Sequence, residues 1–160
     1  MERFMTDMLV KLYELPPLHL AIDGQTEQGI TIRRALVPEQ HIIVDWVKTH
    51  FHDYWGSETA GAICRQPPAC FIAVENGAIL GFGCYDTTAK GFFGPTGVTE
   101  PARGRGTGAA LLLACLHDML AQGYGYAIIG GVGPAEFYTK IAGATVIEGS
   151  SPGIYRGLLE

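Results

Sequence analysis

A chain of 160 residues has the size of one folding unit, able to bury roughly 70% of the surface its unfolded form exposes. Hydrophobic residues make up 48% and charged ones 17%, below the ~25% usual for globular chains, which leaves uncharged surface for a partner subunit to cover. The formal charge of -5, with 11 basic against 16 acidic residues, argues against a nucleic-acid backbone as ligand, since the only dense basic points are Arg33-Arg34 and Arg103-Arg105.

Residues 1–28 read as an N-terminal extension ahead of a single domain at 29–160, with the stop Pro16-Pro17 and turns at Gly24 and Gly29. The opening stretch MERFMTDMLVKLYELPP carries Glu2, Asp7, Lys11 and Glu14 and lacks a clean apolar core of the secretory kind. No window reaches the ~18 apolar residues of a membrane span, so the expected location is the cytoplasm. Cys64, Cys70, Cys84 and Cys115 show no CxxC spacing and lie in or beside apolar runs, which suits small core hydrophobes in a reducing compartment.

ITIRRAL (30–36) has the alternation and β-branching of a strand. From Pro38 a helix is expected, with Ile42, Ile43, Trp46, Val47 and Phe51 as its apolar stripe. An aromatic-rich turn, HDYWG, separates it from a second helix at about 57–65 that ends before Pro67-Pro68. ACFIAVENGAILGFGCYD reads as a hairpin turning at Asn76-Gly77. GFFGPTGVT (91–99) is a third sheet segment in which Pro95, flanked by Gly94 and Gly97, predicts a bulge or break. A long helix follows at about 105–122, with Leu112, Cys115, Leu116 and Met119 on one face and a stop at Gly123. YAIIGG (126–131) is a short buried strand, GPAEFYTKIAG a helix opened by Pro134, and ATVIE with GIYRGLL are expected to complete the sheet. The order predicts an α+β fold, a mixed sheet covered by helices.

Residues 98–108 read VTEPARGRGTG, between a strand and the best helix in the chain. The first N–H groups of a helix lack internal partners, and the peptide dipoles leave partial positive charge there. Gly104, Gly106 and Gly108 would let a diphosphate approach those groups, with Arg103 and Arg105 adding charge nearby. A P-loop is not matched, because no lysine precedes Thr107. A dinucleotide fingerprint is formally present at Gly104, Gly106 and Ala109, but it follows a hairpin and a third strand, and QGYGYAII offers no answering carboxylate.

The run Arg103-Gly104-Arg105-Gly106-Thr107-Gly108 resembles the R/Q-x-x-G-x-G/A signature of the GNAT superfamily of N-acetyltransferases. The likeness covers about 130 residues, from Ile30 onward, and includes GPAEFYTKIAGATVI, which looks like that family's FY-x-K helix and following strand. It departs at Phe92 to Gly97 and at Ala142-Gly143-Ala144, which bears on acceptor choice more than on fold. The resemblance implies a mixed, mostly antiparallel sheet that splays between its fourth and fifth strands, GFFGPTGVT and YAIIGG. It further implies acetyl transfer from acetyl-coenzyme A to an amine of a small molecule or peptide, by direct attack in a ternary complex, with coenzyme A as product.

Mapped residue by residue, the resemblance assigns Arg103, Gly104, Arg105, Gly106, Thr107 and Gly108 to the pyrophosphate. Val98, Thr99, Gly131 and Phe137 fall along the pantetheine arm, with Gly97 to Thr99 facing Ile128 to Gly131. An N–H of Val98 or Thr99 would stabilise charge on the thioester oxygen. Tyr138 is expected to protonate the departing thiolate while staying neutral at pH 7. The base is left open among Asp86, Glu100, Glu75, Tyr85 and the His50 to Asp53 cluster, with Asp86 and Glu100 preferred. The paired histidines lack a third ligand, so no metal is expected. Trp46, Phe51, Tyr54 and Trp55 would wall the acceptor pocket. A homodimer is compatible with the low charge, and a non-catalytic acyl-coenzyme A sensor is the alternative to an enzyme.

Overall fold

In the computed structural model, which describes residues 5–160, the apolar periodicities become seven strands and five helices. In chain order they are β1 (Met8–Lys11), α1 (Leu18–Thr26), β2 (Thr31–Arg34), α2 (Gln40–His50), α3 (Asp53–Ile63), β3 (Cys70–Glu75), β4 (Ala78–Tyr85), β5 (Phe92–Val98), α4 (Thr107–Ala121), β6 (Tyr126–Ile129), α5 (Ala135–Ala142) and β7 (Thr145–Val146). They form one sheet in the order β2-β3-β4-β5-β6-β1-β7. Among the described residues only β5 and β6 run parallel; every other neighbouring pair is antiparallel. The mixed, mostly antiparallel sheet is thus as expected.

The hairpin turns where both central residues can take left-handed conformations, Asn76 at φ 50° and Gly77 at φ 76°. Along β4, side chains alternate between the two faces. Gly81 and Gly83 face α4, where an added Cβ would stand 3.0 Å from Leu111 and 3.3 Å from the Cys115 sulfur, so the absent side chains set how closely α4 lies on the sheet. Phe82 faces the other way, its ring 5.6 to 6.2 Å from those of Trp46, Phe51 and Trp55 on and between α2 and α3.

Burial on α4 extends beyond the predicted stripe, because Ala110, Leu111, Leu113 and Ala114 are covered as well. Its outer side meets α1. A helix apolar on nearly all sides needs cover on all sides. That cover comes from the segment expected to be an extension. Met8 and Val10 are buried while Lys11 is exposed, and β1 lies between β6 and β7, pairing Met8 with both Ile129 and Val146. From Asp7 onward these residues are therefore built into the body.

Two further expectations change. The helix predicted at 57–65 begins at Asp53, so Tyr54 and Trp55 lie on it and the break shrinks to Phe51-His52. GIYRGLL forms no strand; Gly153–Tyr155 is a 3-10 turn, and the edge it was to occupy is closed by β7 against β1.

Candidate active site

Gly104 and Gly106 take φ of 83° and 82°, a left-handed geometry that costs other residues roughly 1–2 kcal/mol, and Gly106 is the residue from which α4 starts. No side chain caps the helix. Among the described residues, none of the backbone N–H groups from Gly104 to Ala109 donates a hydrogen bond, and the first helical bond, from Ala110, goes to the Gly106 carbonyl at 3.1 Å. These are the orphan donors of a helix start, arranged on a turn with little side-chain cover.

The arginines divide. Arg103 Nε donates to the Val98 carbonyl at 3.1 Å and its terminal nitrogens bond to nothing among the described residues. Arg105 corrects the expectation of a phosphate-facing charge, since its guanidinium grips the Glu75 carboxylate at 2.7 and 3.1 Å and Gln28 at 3.2 Å. Hydrogen bonding to that guanidinium holds Glu75 below the usual carboxylate range. Thr107 is 1% exposed and donates its hydroxyl to Gln25 Oε1 at 2.7 Å, so its side chain also points behind the turn.

Gln25, on α1 and 2% exposed, completes the clamp by donating to the Arg105 carbonyl at 2.9 Å; Gln28 donates to the same carbonyl. Sequence reasoning missed both glutamines, whose partners lie about eighty positions away. Gln25→Leu leaves the Thr107 hydroxyl buried without its partner, at a cost of about 1–3 kcal/mol. Urea unfolding should show that loss.

β5 carries the predicted bulge, with one extra residue between the pairs Thr96–Gly83 and Phe93–Tyr85. Past it, β5 and β6 part. Phe92 pairs with Ile128 and Phe93 with Ile129, so these isoleucines do not face Gly97 to Thr99 as expected; the opening starts at Gly94 and Gly130. The continuation of β6 turns toward β1, where the Val132 N–H donates to Thr6 and the Gly131 N–H to the Asp7 carboxylate, 2.9 Å each. Gly131 thus has its amide engaged. The Thr99 N–H donates to Leu80 at 3.0 Å, and strand alternation then turns the N–H groups of Thr96 and Val98 to the open side. Of the two expected donors, Val98 is the one whose N–H turns to the open side.

α5 closes the far side. A Cβ on Gly108 would lie 3.7 Å from Val98 and 3.8 Å from the Phe137 ring, so Val98, Gly108 and Phe137 converge. Tyr138, whose ring is 5.1 Å from that of Phe137, is 7% exposed, and its hydroxyl has no partner among the described residues. Burial pushes its pKa up to about 12.

Asp86 has both carboxylate oxygens engaged. It sits at φ 55° beyond β4, with one oxygen accepting from Gly91 N–H at 2.7 Å and the other from the Tyr124 hydroxyl at 2.6 Å, closing the β4–β5 connection. Tyr85 points to the α4 face and donates to Asp118, which Arg34 also holds at 2.9 Å. Glu100 is exposed just past β5, beginning a 3-10 turn. His50 bonds the Trp46 carbonyl, the His52 ring lies 4.8 Å from that of Trp55 at a 51° tilt, and among the described residues no group of three metal-ligating side chains forms. A separate groove of about 320 Å³ runs between α1, β2 and α4, lined by Leu18, Ile22, Ile32, Phe71, Ala114 and His117.

On the α2–α3 face, two residues that the sequence did not single out meet the opening. A Cβ on Gly130 would come within 2.8 Å of the Tyr155 hydroxyl and 2.9 Å of the Phe92 ring, so both cover the point where β5 and β6 part. Burial and the nearby carboxylates of Glu58 and Asp7 raise Tyr155 to about 12. Glu58, on α3, accepts a hydrogen bond from Thr88, and burial pushes its carboxyl above the usual range.

The model of the acetyltransferase (GNAT) family matches residues 37–143. The fold is similar to that of a GCN5-related N-acetyltransferase from Sphaerobacter thermophilus, at 26% identity and TM-score 0.67, over 90% of this chain and 49% of that one. It is also similar to an acetyltransferase from the GNAT family of Colwellia psychrerythraea (16%, TM-score 0.61, 89% and 53%). A third likeness is to a GCN5-related glucosamine N-acetyltransferase region in a fungal multi-domain GH3 beta-N-acetylglucosaminidase (14%, TM-score 0.73, 90% and 20%). The chain therefore spans between a fifth and about half the length of these proteins. No curated protein matches it.

Proposed function

The chain belongs to the acetyltransferase (GNAT) family, and from that premise we propose that it is an acetyl-coenzyme A dependent N-acetyltransferase for a primary amine of a small molecule or peptide. The observation that carries this is the set of unpartnered amides from Gly104 to Ala109 standing beside a strand edge that opens at Gly94. A diphosphate is a dense anion with many acceptor oxygens, and a ring of outward N–H groups at a helix start is the donor set that fits it. Arg103 adds a cation at the same mouth, while Gln25, Gln28, Arg105 and Glu75 hold the turn from behind.

Acetyl-coenzyme A, when bound, supplies an acetyl group activated as a thioester. The chain's part is to place and polarise it. The open-side N–H of Val98, with that of Thr96, offers hydrogen bonds along the β5 edge, as a neighbouring strand would receive them. Tyr138 offers its unpartnered O–H to sulfur. Because full transfer from a phenol at about 12 to a thiolate near 8.5 is uphill by roughly 5 kcal/mol, Tyr138 acts as a hydrogen-bond donor that follows the growing charge.

Among the described residues no helix is long and apolar enough to cross a membrane. A cytoplasmic setting and a homodimer complete the proposal: the buried free thiols of Cys70, Cys84 and Cys115 suit the first, and exposed Leu36, Val37 and Ile42 offer apolar surface for the second.

The test is thermal unfolding with acetyl-coenzyme A, coenzyme A and NAD, followed by thiol release against a panel of amines. Saturating either coenzyme A species at a hundred times its Kd should stabilise the fold by about 2.7 kcal/mol, and NAD should not. Stabilisation without thiol release from any amine would leave a sensor in place of an enzyme.

A further inference from the structure

We propose that Asp7 is a positioning residue of the cofactor site: by taking the Gly131 N–H it holds β6 one residue out of register with β1, and this slip keeps the backbone past Gly130 off β5. That role rests on the N-acetyltransferase reading above.

Antiparallel neighbours exchange backbone bonds at every second residue. Between β1 and β6 one such position is Leu12 with Gly125, at 3.1 Å, and the register carries the bonded positions on through Val10–Ala127 and Met8–Ile129. Continued without a break, it would send the Gly131 N–H to the Thr6 carbonyl and leave the N–H of Val132 facing β5. The structure differs by one residue. Val132 gives its N–H to the Thr6 carbonyl at 2.9 Å, while Gly131, turned to φ 55°, gives its own to Asp7 Oδ1 at 2.9 Å. An extra residue on one strand needs a left-handed position and leaves one N–H outside the ladder; glycine supplies the first and Asp7 receives the second.

The β5 side shows what the slip removes. Across the parallel pair, Ile128 donates to the Gly91 carbonyl at 2.9 Å and Gly130 to that of Phe93 at 3.4 Å. The next bond in the pattern would run from the N–H of residue 95 to the Gly130 carbonyl, but Pro95 has no N–H. The bond after that would run from Val132 to the Pro95 carbonyl, and its donor has been turned to Thr6. Two successive rungs are thus lost, one to Pro95 and one to the slip. With Pro95 alone, Val132 could close the strands again one step further on. With both, the Gly130 carbonyl keeps no donor among the described residues and the edge of β5 stays open.

Asp7 is fixed independently of Gly131. It is buried, its N–H donates to Ser150 Oγ at 2.8 Å, and its carbonyl accepts from the Ile147 N–H at 2.9 Å. Its second carboxylate oxygen lies 3.4 Å from where a Cβ on Gly153 would stand. The segment after β7 therefore sets the carboxylate, and the carboxylate sets Gly131.

The test measures coenzyme A affinity by calorimetry, and melting temperature, for Asp7→Ala, Asp7→Asn and Ser150→Ala. Alanine removes the acceptor, so the Kd should rise about tenfold or more, the scale of one lost hydrogen bond to a charged group. Asparagine keeps an oxygen for the Gly131 N–H and should bind within about twofold of wild type. Ser150→Ala releases the Asp7 N–H without touching Gly131, and should melt lower yet bind coenzyme A as wild type does. A Ser150→Ala loss of affinity equal to that of Asp7→Ala marks a general loosening and overturns the assignment.

A second measurement needs no variant. Amide hydrogen exchange in wild type should find Gly131 protected together with Val132, and a Gly131 amide that exchanges as an open loop does overturns the assignment whatever the variants show. Wild type that binds no coenzyme A overturns the N-acetyltransferase reading and the positioning role with it, whereas equal binding by wild type and Asp7→Ala overturns the positioning role alone.

Discussion

Gly106→Glu protein is expected to gain no thermal stability from coenzyme A at concentrations that saturate wild type. Gly106 holds φ at 82° where α4 begins, and a Cβ there would sit 3.3 Å from Gln25 Nε2, pressing on the clamp behind the turn. The glutamate adds a negative charge among amides that would otherwise grip a diphosphate, so two like charges compete for one set of donors. Backbone strain alone accounts for roughly 1–2 kcal/mol of fold stability. Gly106→Ala carries the same strain without the charge and separates the effects: it should melt lower than wild type but still respond to coenzyme A. If Gly106→Glu remains folded and its melting point rises with coenzyme A as wild type's does, the diphosphate is held elsewhere.

Tyr138→Phe should lower kcat by about 10²-fold, the scale of losing one donor aimed at developing charge, while leaving coenzyme A stabilisation as it was. The phenol is 7% exposed and its hydroxyl has no partner among the described residues. Among the described residues no buried side-chain oxygen lacks a partner, so the Tyr138 hydroxyl meets solvent and its removal should leave the melting temperature close to that of wild type. A residue kept for packing would show the reverse pattern, with stability lost and turnover preserved. Since burial places its pKa at about 12, Tyr138 stays protonated across the working range and should add no basic limb to the pH profile below pH 10. Unchanged turnover in this variant, with the chemical step rate-limiting, removes Tyr138 from the mechanism.

Carboxylates show where reading residues in order stops short. Asp86 and Glu100 were the preferred bases because they end or follow strands near the signature, a relation visible along the chain. Whether a carboxylate is available depends on what fills its lone pairs, and for Asp86 those are Gly91 and Tyr124, brought to it by the β4–β5 connection and by the loop after α4.

The N-terminal segment teaches the same lesson from packing. Met8 and Val10 alternate with Leu9 and Lys11, but four residues are too few for a period to stand out from the charged residues around them. Only the exposed edge of β6 selects them as a strand, and only the apolar outer side of α4 gives α1 a place to lie.

From residue order alone came the glycine-opened helix, the bulge at Pro95, the hairpin at Asn76-Gly77 and the helix bearing Phe137 and Tyr138, because turn chemistry and apolar period are written in neighbouring residues. Tertiary structure alone decided which arginine faces outward, which glycine amides stay free, and which carboxylates are already engaged. The partners that decide these lie as far off as Glu75, 30 positions from Arg105, and Asp7, 124 positions from Gly131, and hydrogen-bond capacity is shared out only when the chain has folded.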